Sequence, residues 1–571
     1  MSTSSIRHPC HWVRHYAQIF PDRAAVEQLV GSFPDDDNET EVQTRSWTYS
    51  QLETISDNLA ELLLDRLPSE SSSSPPAVAL CMGRTLEAFA CILASMKAGC
   101  LYLPIAEDLP PQRKKELVSD ARAAAVFASS GLADTFKEQN AAGDSPHPTL
   151  IVIDDLPAGM ANTRNDPLTL PPASKTGYLL FTSGSTGKPK GVSVSGANLS
   201  SFVDGYAAIL TSRSPRSMRL TDNGGGRYLN SSSRAFDPHI SQMFTAWRMG
   251  YAAVTGERSL LLEDMIRTVN LLEITHMGGL PSLVEQAGMT PEQVPSLALL
   301  GVGGEKITPF ILDEWASHCG GEDGRTVINL YGPTEVTIGC TAAVISPSST
   351  PGNIGYPIGN TTALVLLPGS DTLAWKGQAG ELCFAGDLVA HGGYIGENAP
   401  KGGFATVPKR LIDPQAPQDQ SLKIYRTGDV VQMLADGSLA FLGRADEQIK
   451  IRGQRLELGE VNVAVRTAAA EAREQVLSAQ NALTVYVKHP ALPSARLFSL
   501  VECGGQSDSQ LALLEDSDTR EAISSTLKSK LPSFMVPTVV LVERLPKLAS
   551  GKVDGKKIKQ ALMDAPIDEL L

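Results

Sequence analysis

The stretch from Tyr178 to Val194 carries the chain's densest phosphate chemistry. An apolar run, Tyr178-Leu179-Leu180-Phe181, gives way to Thr182-Ser183-Gly184-Ser185-Thr186-Gly187-Lys188-Pro189-Lys190-Gly191 and then to Val192-Ser193-Val194. Gly184, Gly187 and Gly191 let the backbone turn tightly and bring its N–H groups close to an anion. The hydroxyls of Thr182, Ser183, Ser185 and Thr186 and the ammonium groups of Lys188 and Lys190 add donors and positive charge, which is what a triphosphate needs. A Gly/Ser/Thr-rich stretch is ordinarily a surface turn. Two lysines set between two strand-like apolar runs make phosphate binding the stronger reading here.

The loop is not a Walker A motif, whose Lys is followed by Ser or Thr, because Pro189 follows Lys188. Downstream, Asn329-Leu330-Tyr331-Gly332-Pro333-Thr334-Glu335 follows the apolar Val327-Ile328. It offers a ring to stack on a base, a hydroxyl donor and an oxygen ligand for Mg²⁺. In Ala235-Phe236-Asp237-Pro238-His239-Ile240 an aspartate stands at the mouth of a helix, where its bland role is an N-cap of about 1 kcal/mol. Tyr425-Arg426-Thr427-Gly428-Asp429 precedes Asp436-Gly437, a hairpin turn between Val430–Met433 and Leu439–Leu442. Near the end lies Pro546-Lys547-Leu548-Ala549-Ser550-Gly551-Lys552-Val553-Asp554, whose Lys552 taken alone reads as a solvated amine.

These residues must be carried by a sizeable α/β body. With 571 residues, two or more domains are expected. A formal charge of -14 argues against nucleic acid or an anionic membrane as the main partner, and no stretch approaches a membrane span. Met1 to Arg14 lacks the apolar core of a secretory segment. The eight cysteines show no Cys-x-x-Cys pair, which fits reduced cytoplasmic thiols.

Ser46 to Leu52 reads as a cap leading into a helix through Leu64, Ala77–Leu80 as a strand, and Ala88–Ala98 as a small-residue helix. Met96–Ile105 carries the next strand, and a helix over 111–120 and strands over 124–128 and 150–153 continue the alternation. This rhythm predicts a mostly parallel sheet covered by helices, with ligands at the carboxyl ends of its strands. Ser195 caps a helix over 198–210, and residues 211–227 are an expected mobile loop. Residues 362–443 read as short strands with turns. The charge-dense 443–453 marks a boundary, followed by a helix over 457–471, strands over 483–488, 498–502 and 538–543, and a helix over 517–531.

As a set, 182–191, 331–335, 425–429, 443–453 and 550–554 resemble the adenylate-forming superfamily, along nearly the whole chain and in its order. That superfamily includes acyl-CoA synthetases, luciferases and adenylation domains of nonribosomal peptide synthetases. Leu531-Pro532-Ser533-Phe534-Met535-Val536-Pro537 and the Lys552 segment look most like the amino-acid adenylation domains. The resemblance implies an N-terminal domain over 1–443, with mixed and parallel sheets covered by helices plus a distorted β-barrel. It also implies a small mobile α+β lid over 444–571, hinged near Asp446.

The implied chemistry is attack of an amino-acid carboxylate on the α-phosphate of MgATP, giving aminoacyl-adenylate and pyrophosphate. The lid then rotates and a phosphopantetheine thiol on a carrier domain takes the acyl group; carrier and condensation domains are the implied partners. By matching positions, Lys552 bridges carboxylate and phosphate, and Thr334 donates to the α-phosphate. Glu335, with Thr186, holds Mg²⁺, Tyr331 stacks on adenine, and Asp429 binds the ribose with Arg444 nearby. The loop at 182–191 holds the β- and γ-phosphates, and Gly304, Glu305 and Asn329 complete the implied ATP site.

Asp237 matches the carboxylate that holds the substrate ammonium in amino-acid adenylation domains and is absent from acyl-CoA and aryl-acid relatives. A buried cation needs a paired anion, so this residue favours an α-amino acid. The other pocket positions map to Phe236, Pro238, Ser241, Gly278, Gly301, Gly303, Leu330, Ile338 and Gly339. So many glycines imply a large cavity, and an empty one would cost about 24 cal/mol per Å³ unless water filled it. A side chain larger than Phe or Leu is expected. With no acidic residue deep in the pocket, free ornithine, lysine and arginine fit poorly. Large neutral side chains of this sort occur in the N5-acyl-N5-hydroxyornithines used by fungal siderophore synthetases.

Val389-Ala390-His391-Gly392-Gly393-Tyr394 departs from the family's Ala-Arg-Gly-Tyr, which leaves the arginine's role without a counterpart. No carrier-protein Leu-Gly-Gly-x-Ser motif follows Lys552, so a module piece and a stand-alone enzyme are both expected readings. The alternatives are an acyl-CoA ligase, separated by Asp237 and by whether CoA accepts the product, and a non-catalytic nucleotide-binding module. Replacing Lys552 by Ala is expected to remove roughly 3–4 kcal/mol of transition-state stabilisation, as loss of one oxyanion donor does. Single-turnover adenylate formation measures it, and an undiminished rate would refute the assignment.

Overall fold

The computed structural model describes residues 8–31, 43–67, 74–137, 148–154, 166–184, 189–214, 216, 225–319, 324–396, 402–445, 448–451, 453–472, 481–492, 494–504, 512–514, 516–547 and 553–571. Two large sheets organise everything up to Arg444. The seven-stranded one runs in the order Gly393–Ile395, Lys190–Ser195, Gly177–Thr182, Leu101–Pro104, Ala77–Cys81, Ala125–Ala128, Thr149–Val152. Its pairings from Gly177–Thr182 to Thr149–Val152 are parallel, as the alternation predicts. The glycine-rich segment joins two antiparallel strands, with Thr182 opposite Lys190. It therefore projects from the carboxyl end of Gly177–Thr182.

The second sheet is fourteen-stranded. At its heart His276–Gly279, Leu299–Gly303 and Thr326–Tyr331 run parallel, in a register that sets Gly278 beside Gly301 and Gly303 beside Leu330. The antiparallel strands over 353–444 extend it, including the hairpin whose arms are Ser421–Met433 and Leu439–Arg444. The helices Tyr49–Leu64, Leu86–Lys97, Gly196–Arg213 and Pro238–Met249 share one apolar cluster with strands of both sheets. Leu86–Lys97 is buried along its entire length, which explains a composition free of amphipathic period.

Local chemistry fixes the ends of these elements. Within the expected cap stretch, Thr48 at the end of the strand Thr44–Thr48 caps Tyr49–Leu64 through a reciprocal box with Gln51. Thr85 caps the helix expected from Ala88, so it begins at Leu86. Ser195 caps Gly196–Arg213 as expected, and most of the expected mobile loop after it lies outside the described residues.

From residue 448 the chain forms separate small sheets. Gln448–Ile451 and Gln454–Glu457 make a hairpin where the sequence showed only a charge-dense boundary. Asp446 lies outside the described residues. Ala482–Val487, Arg496–Glu502 and Thr538–Val542 form a three-stranded sheet. Leu458–Glu471 and Ser517–Lys530 contribute to one apolar cluster on it, and Gly555–Asp564 and Ile567–Leu570 to the other. The three strands, Leu458–Glu471 and Ser517–Lys530 fall within two residues of their expected bounds, whereas the helices Gly555–Asp564 and Ile567–Leu570 had no expected counterpart.

Candidate active site

A cavity of about 320 Å³ opens where the carboxyl ends of both sheets meet the 448–457 hairpin. Most of the residues expected from the sequence line it: Thr182, Ser183, Phe236, Asp237, Pro238, Ser241, Gly278, Gly301, Gly303, Gly304, Leu330, Tyr331, Thr334, Ile338, Asp429 and Arg444. Ser185, Thr186, Gly187, Lys188 and Lys552 lie outside the described residues.

Asp237 occupies the cap position of Pro238–Met249, yet its backbone is helical and its side chain caps nothing. The carboxylate accepts instead from the Tyr178 hydroxyl at 3.4 Å and from Thr334. Asp237 is 6% exposed, and no cation pairs with it among the described residues. Burial pushes its carboxyl up to about 6, against the pull of those two hydroxyls. It is a buried acceptor without a countercharge.

Glu335 is the opposite case. It is fully buried, and its carboxylate meets Arg455 at 3.0 Å, Lys190 at 3.2 Å and the Tyr394 hydroxyl at 2.8 Å. Burial alone would raise its carboxyl, but the Arg455 and Lys190 charges hold it well below the usual carboxylate range. Arg455 belongs to the C-terminal hairpin, so this ion pair also fastens the C-terminal part to the core. Ser183 donates to the Arg455 carbonyl at 3.2 Å, and Arg113 pairs with Glu460 at 2.6 Å. The Glu460 carboxylate lies against the backbone N–H of Gly184. In this arrangement a guanidinium and a carboxylate from beyond residue 448 occupy the Glu335 carboxylate and the Gly184 amide.

On the nucleotide side, the Tyr331 hydroxyl donates to Asp429, which pairs with Arg444 at 2.6 Å. The three form one rigid chain along the cleft wall. The Thr182 hydroxyl is buried with no protein partner at the root of the glycine-rich loop, which suits an incoming phosphate oxygen. Thr337 and Ile338 both have left-handed backbones, costly for β-branched residues, and the Thr337 hydroxyl is anchored to the Leu388 carbonyl at 2.7 Å. That strain delivers Ile338 to the cavity.

Several expected residues stand elsewhere. Asn329 is buried and donates to the Asn353 carbonyl at 2.9 Å, bracing two strands rather than lining the cavity. Glu305, Glu335, Lys190 and Gly184 stand behind the lining. Gly339 is packed against the Leu330 side chain and is outside the lining as well. The glycine-based estimate of pocket size is thereby corrected. A Cβ at Gly303 would sit 2.4 Å from the Leu330 carbonyl and one at Gly339 2.6 Å from the Leu330 side chain, so both glycines serve close packing. Gly278 and Gly301 line the cavity, where a Cβ would crowd only side-chain ends, the Gln242 amide at 3.2 Å and the Tyr206 hydroxyl at 3.3 Å.

Sequence reasoning missed Arg455, Glu460, Tyr394, Gln242, Tyr206 and Tyr228. Arg455 lies two residues past the charge-dense segment and Tyr394 inside the departed motif, so proximity was a signal for both. Gly303→Ala is expected to destabilise the protein by about 1–3 kcal/mol through overpacking, and Gly278→Ala by less, since only the movable Gln242 amide is near. Urea unfolding of both variants checks the order.

Residues 13–394 match the family model described as AMP-binding enzyme. The siderophore peptide synthetase fer3 of Mycosarcoma maydis is 40% identical over 98% of this chain, and the nonribosomal peptide synthetase sidN of Epichloe festucae (strain Fl1) is 38% identical over 98%. The chain spans 11% of the length of each. Among solved structures, the fold matches PA1221, a nonribosomal peptide synthetase protein containing adenylation and PCP domains. The TM-score is 0.71 at 21% identity, covering 98% of both chains. Among the described residues no helix is long and apolar enough to cross a membrane. These matches show that the chain belongs to the AMP-binding enzyme family, and its fold is like that of nonribosomal-peptide-synthetase proteins containing adenylation domains.

Proposed function

We propose that this chain activates an α-amino acid as its adenylate, with release of pyrophosphate, and hands it to a phosphopantetheine thiol on a carrier domain during siderophore peptide synthesis in the cytoplasm. The observation that carries this reading is Asp237, a buried carboxylate facing the cavity with no cation beside it. Such a group invites an ammonium ion, and a fatty or aryl acid would leave it unpaired. The name of the relative fer3, a siderophore peptide synthetase, supports a siderophore setting.

The nucleotide would lie along Tyr331, Asp429 and Arg444, with its phosphates toward Thr182 and the glycine-rich loop. Thr334, bonded to Asp237, stands between the two halves of the cleft, where its hydroxyl can turn to the α-phosphate. Charge builds there in the transition state, so fixed donors and cations are the main catalytic means. Mg²⁺ fits Glu335 and Thr186 only once Arg455 has withdrawn, and there it would neutralise phosphate charge.

Residues 444–571 thus act as a lid hinged near Asp446. In the arrangement seen here the 448–457 hairpin faces the cavity. Val553, next to Lys552, packs with the cluster on the other face of the three-stranded sheet. Lys552, outside the described residues, would serve the adenylation step when the lid brings it to the cleft.

The relative fer3, a siderophore peptide synthetase, and a lining whose acidic side chains besides Asp237 are Asp429 and Glu460, paired with Arg444 and Arg113, favour a long uncharged side chain, of which an N5-acyl-N5-hydroxyornithine is the type. Pyrophosphate exchange across proteinogenic and modified amino acids tests this: strong exchange with the acylated hydroxyornithines is expected, and exchange with Ala or Ser alone would overturn it. The Asp237 carboxyl, raised to about 6, is anionic above that pH and protonated below it. The KM for the amino acid should therefore rise as pH falls through about 6 and stay flat above, and Asp237→Asn should be high and pH-independent. A wild-type KM unchanged from pH 7.5 to about 5 would contradict the pairing.

A further inference from the structure

The part of the cavity beyond Asp237 ends on two phenols. Tyr206, from the helix Gly196–Arg213, and Tyr228, from the strand Arg227–Leu229, both line it while remaining 2% exposed. Their hydroxyls hydrogen-bond to one another. The Tyr206 hydroxyl stands 3.3 Å from where a Cβ on Gly301 would be, so the glycine leaves room for that oxygen. The rings are held in place, Tyr206 stacked on Phe202 at 5.8 Å and Tyr228 tilted against His276 at 5.7 Å.

Two hydroxyls sharing one hydrogen bond use one of their two protons. The other has no side-chain acceptor among the described residues. A buried O–H without an acceptor is a standing cost that a ligand's acceptor removes. The neighbouring Gln242 side chain is already committed. The Gln242 amide nitrogen donates to the Ser232 hydroxyl at 2.9 Å and the Gly278 carbonyl at 3.1 Å, and its oxygen accepts from the Ser232 N–H. The Arg258 guanidinium also lines the cavity and donates through Nε to the Ser231 carbonyl at 3.1 Å, which makes it the competing reader of a side-chain end.

We propose that Tyr206 and Tyr228 are specificity-determining residues that read a neutral hydrogen-bond acceptor, an amide or hydroxamate oxygen, near the far end of the substrate side chain. This rests on the reading of the cavity as an amino-acid site. It assigns the floor a role that volume alone does not: the chain must be long and must carry an acceptor at its end.

The test is pyrophosphate exchange with the full chain on three amino acids of matched length. One bears an N5-acyl-N5-hydroxy group, one has methylenes in place of that acceptor, and one ends in a carboxylate. The wild type should prefer the acceptor-bearing substrate over its methylene isostere by about 10- to 100-fold in kcat/KM. In the double variant Tyr206→Phe with Tyr228→Phe the ratio should fall to within about threefold, with each single variant in between. The loss should fall on the acceptor-bearing substrate, and the isostere's own rate reports whether the variant is folded. A double variant that keeps the full preference would overturn the proposal. So would a wild type that favours the carboxylate-ended chain, which would make Arg258 the reader. A wild type that exchanges with none of the three nor with any proteinogenic amino acid would overturn the amino-acid reading itself, and this proposal with it.

Discussion

A charge buried without a partner is the constraint from which the site follows. Asp237 and Glu335 are both carboxylates removed from water near one cleft, yet their surroundings push them in opposite directions. Glu335 is met by Arg455 and Lys190 and stays ionised, whereas Asp237 is met by hydroxyls and is raised. Burying an anion in this way is tolerable when a ligand brings the missing cation. The difference divides the cleft: a carboxylate met only by hydroxyls on one side, and on the other a carboxylate held by one cation of the core, Lys190, and one of the C-terminal part, Arg455.

The scaffold explains why residues so distant in sequence converge. Three parallel strands end together, so Gly278, Gly301 and Leu330–Tyr331 reach one edge of the large sheet. The smaller sheet delivers Thr182 and Ser183 from the opposite side, and the helices packed between the sheets supply Asp237, Ser241 and Tyr206. From beyond residue 448 the lining takes the hairpin at 448–457, Glu460 of the helix Leu458–Glu471, and Pro532, Phe534 and Met535. Arg455 of the hairpin meets the Glu335 carboxylate, and Glu460 of the following helix meets the Gly184 amide, so these two contacts join the C-terminal part to the cleft.

Much of this was legible in the sequence because it depends on local signals. Caps such as Ser195, apolar runs bounded by glycine, and hydroxyl-rich turns at strand ends mark elements one at a time. Contacts between distant elements left no such mark. That Asn329 braces Asn353, that Gly303 is reserved for the Leu330 carbonyl, and that Tyr206 meets Tyr228 all follow from strand register and helix placement. Glycine is ambiguous in the same way, since a missing Cβ can make room for a ligand or for the protein itself. The split between Gly278 and Gly301 on one hand and Gly303 and Gly339 on the other required three-dimensional neighbours.

The most direct measurement compares an activated amino acid with its des-amino analogue, in the wild type and in Asp237→Ala, by pyrophosphate exchange. If the unpaired carboxylate selects the ammonium group, the wild type should prefer the amino acid by about 100-fold or more, and the variant should lose most of that preference. Equal preference in the two proteins, or a wild type that uses the des-amino acid as well as the amino acid, would contradict it.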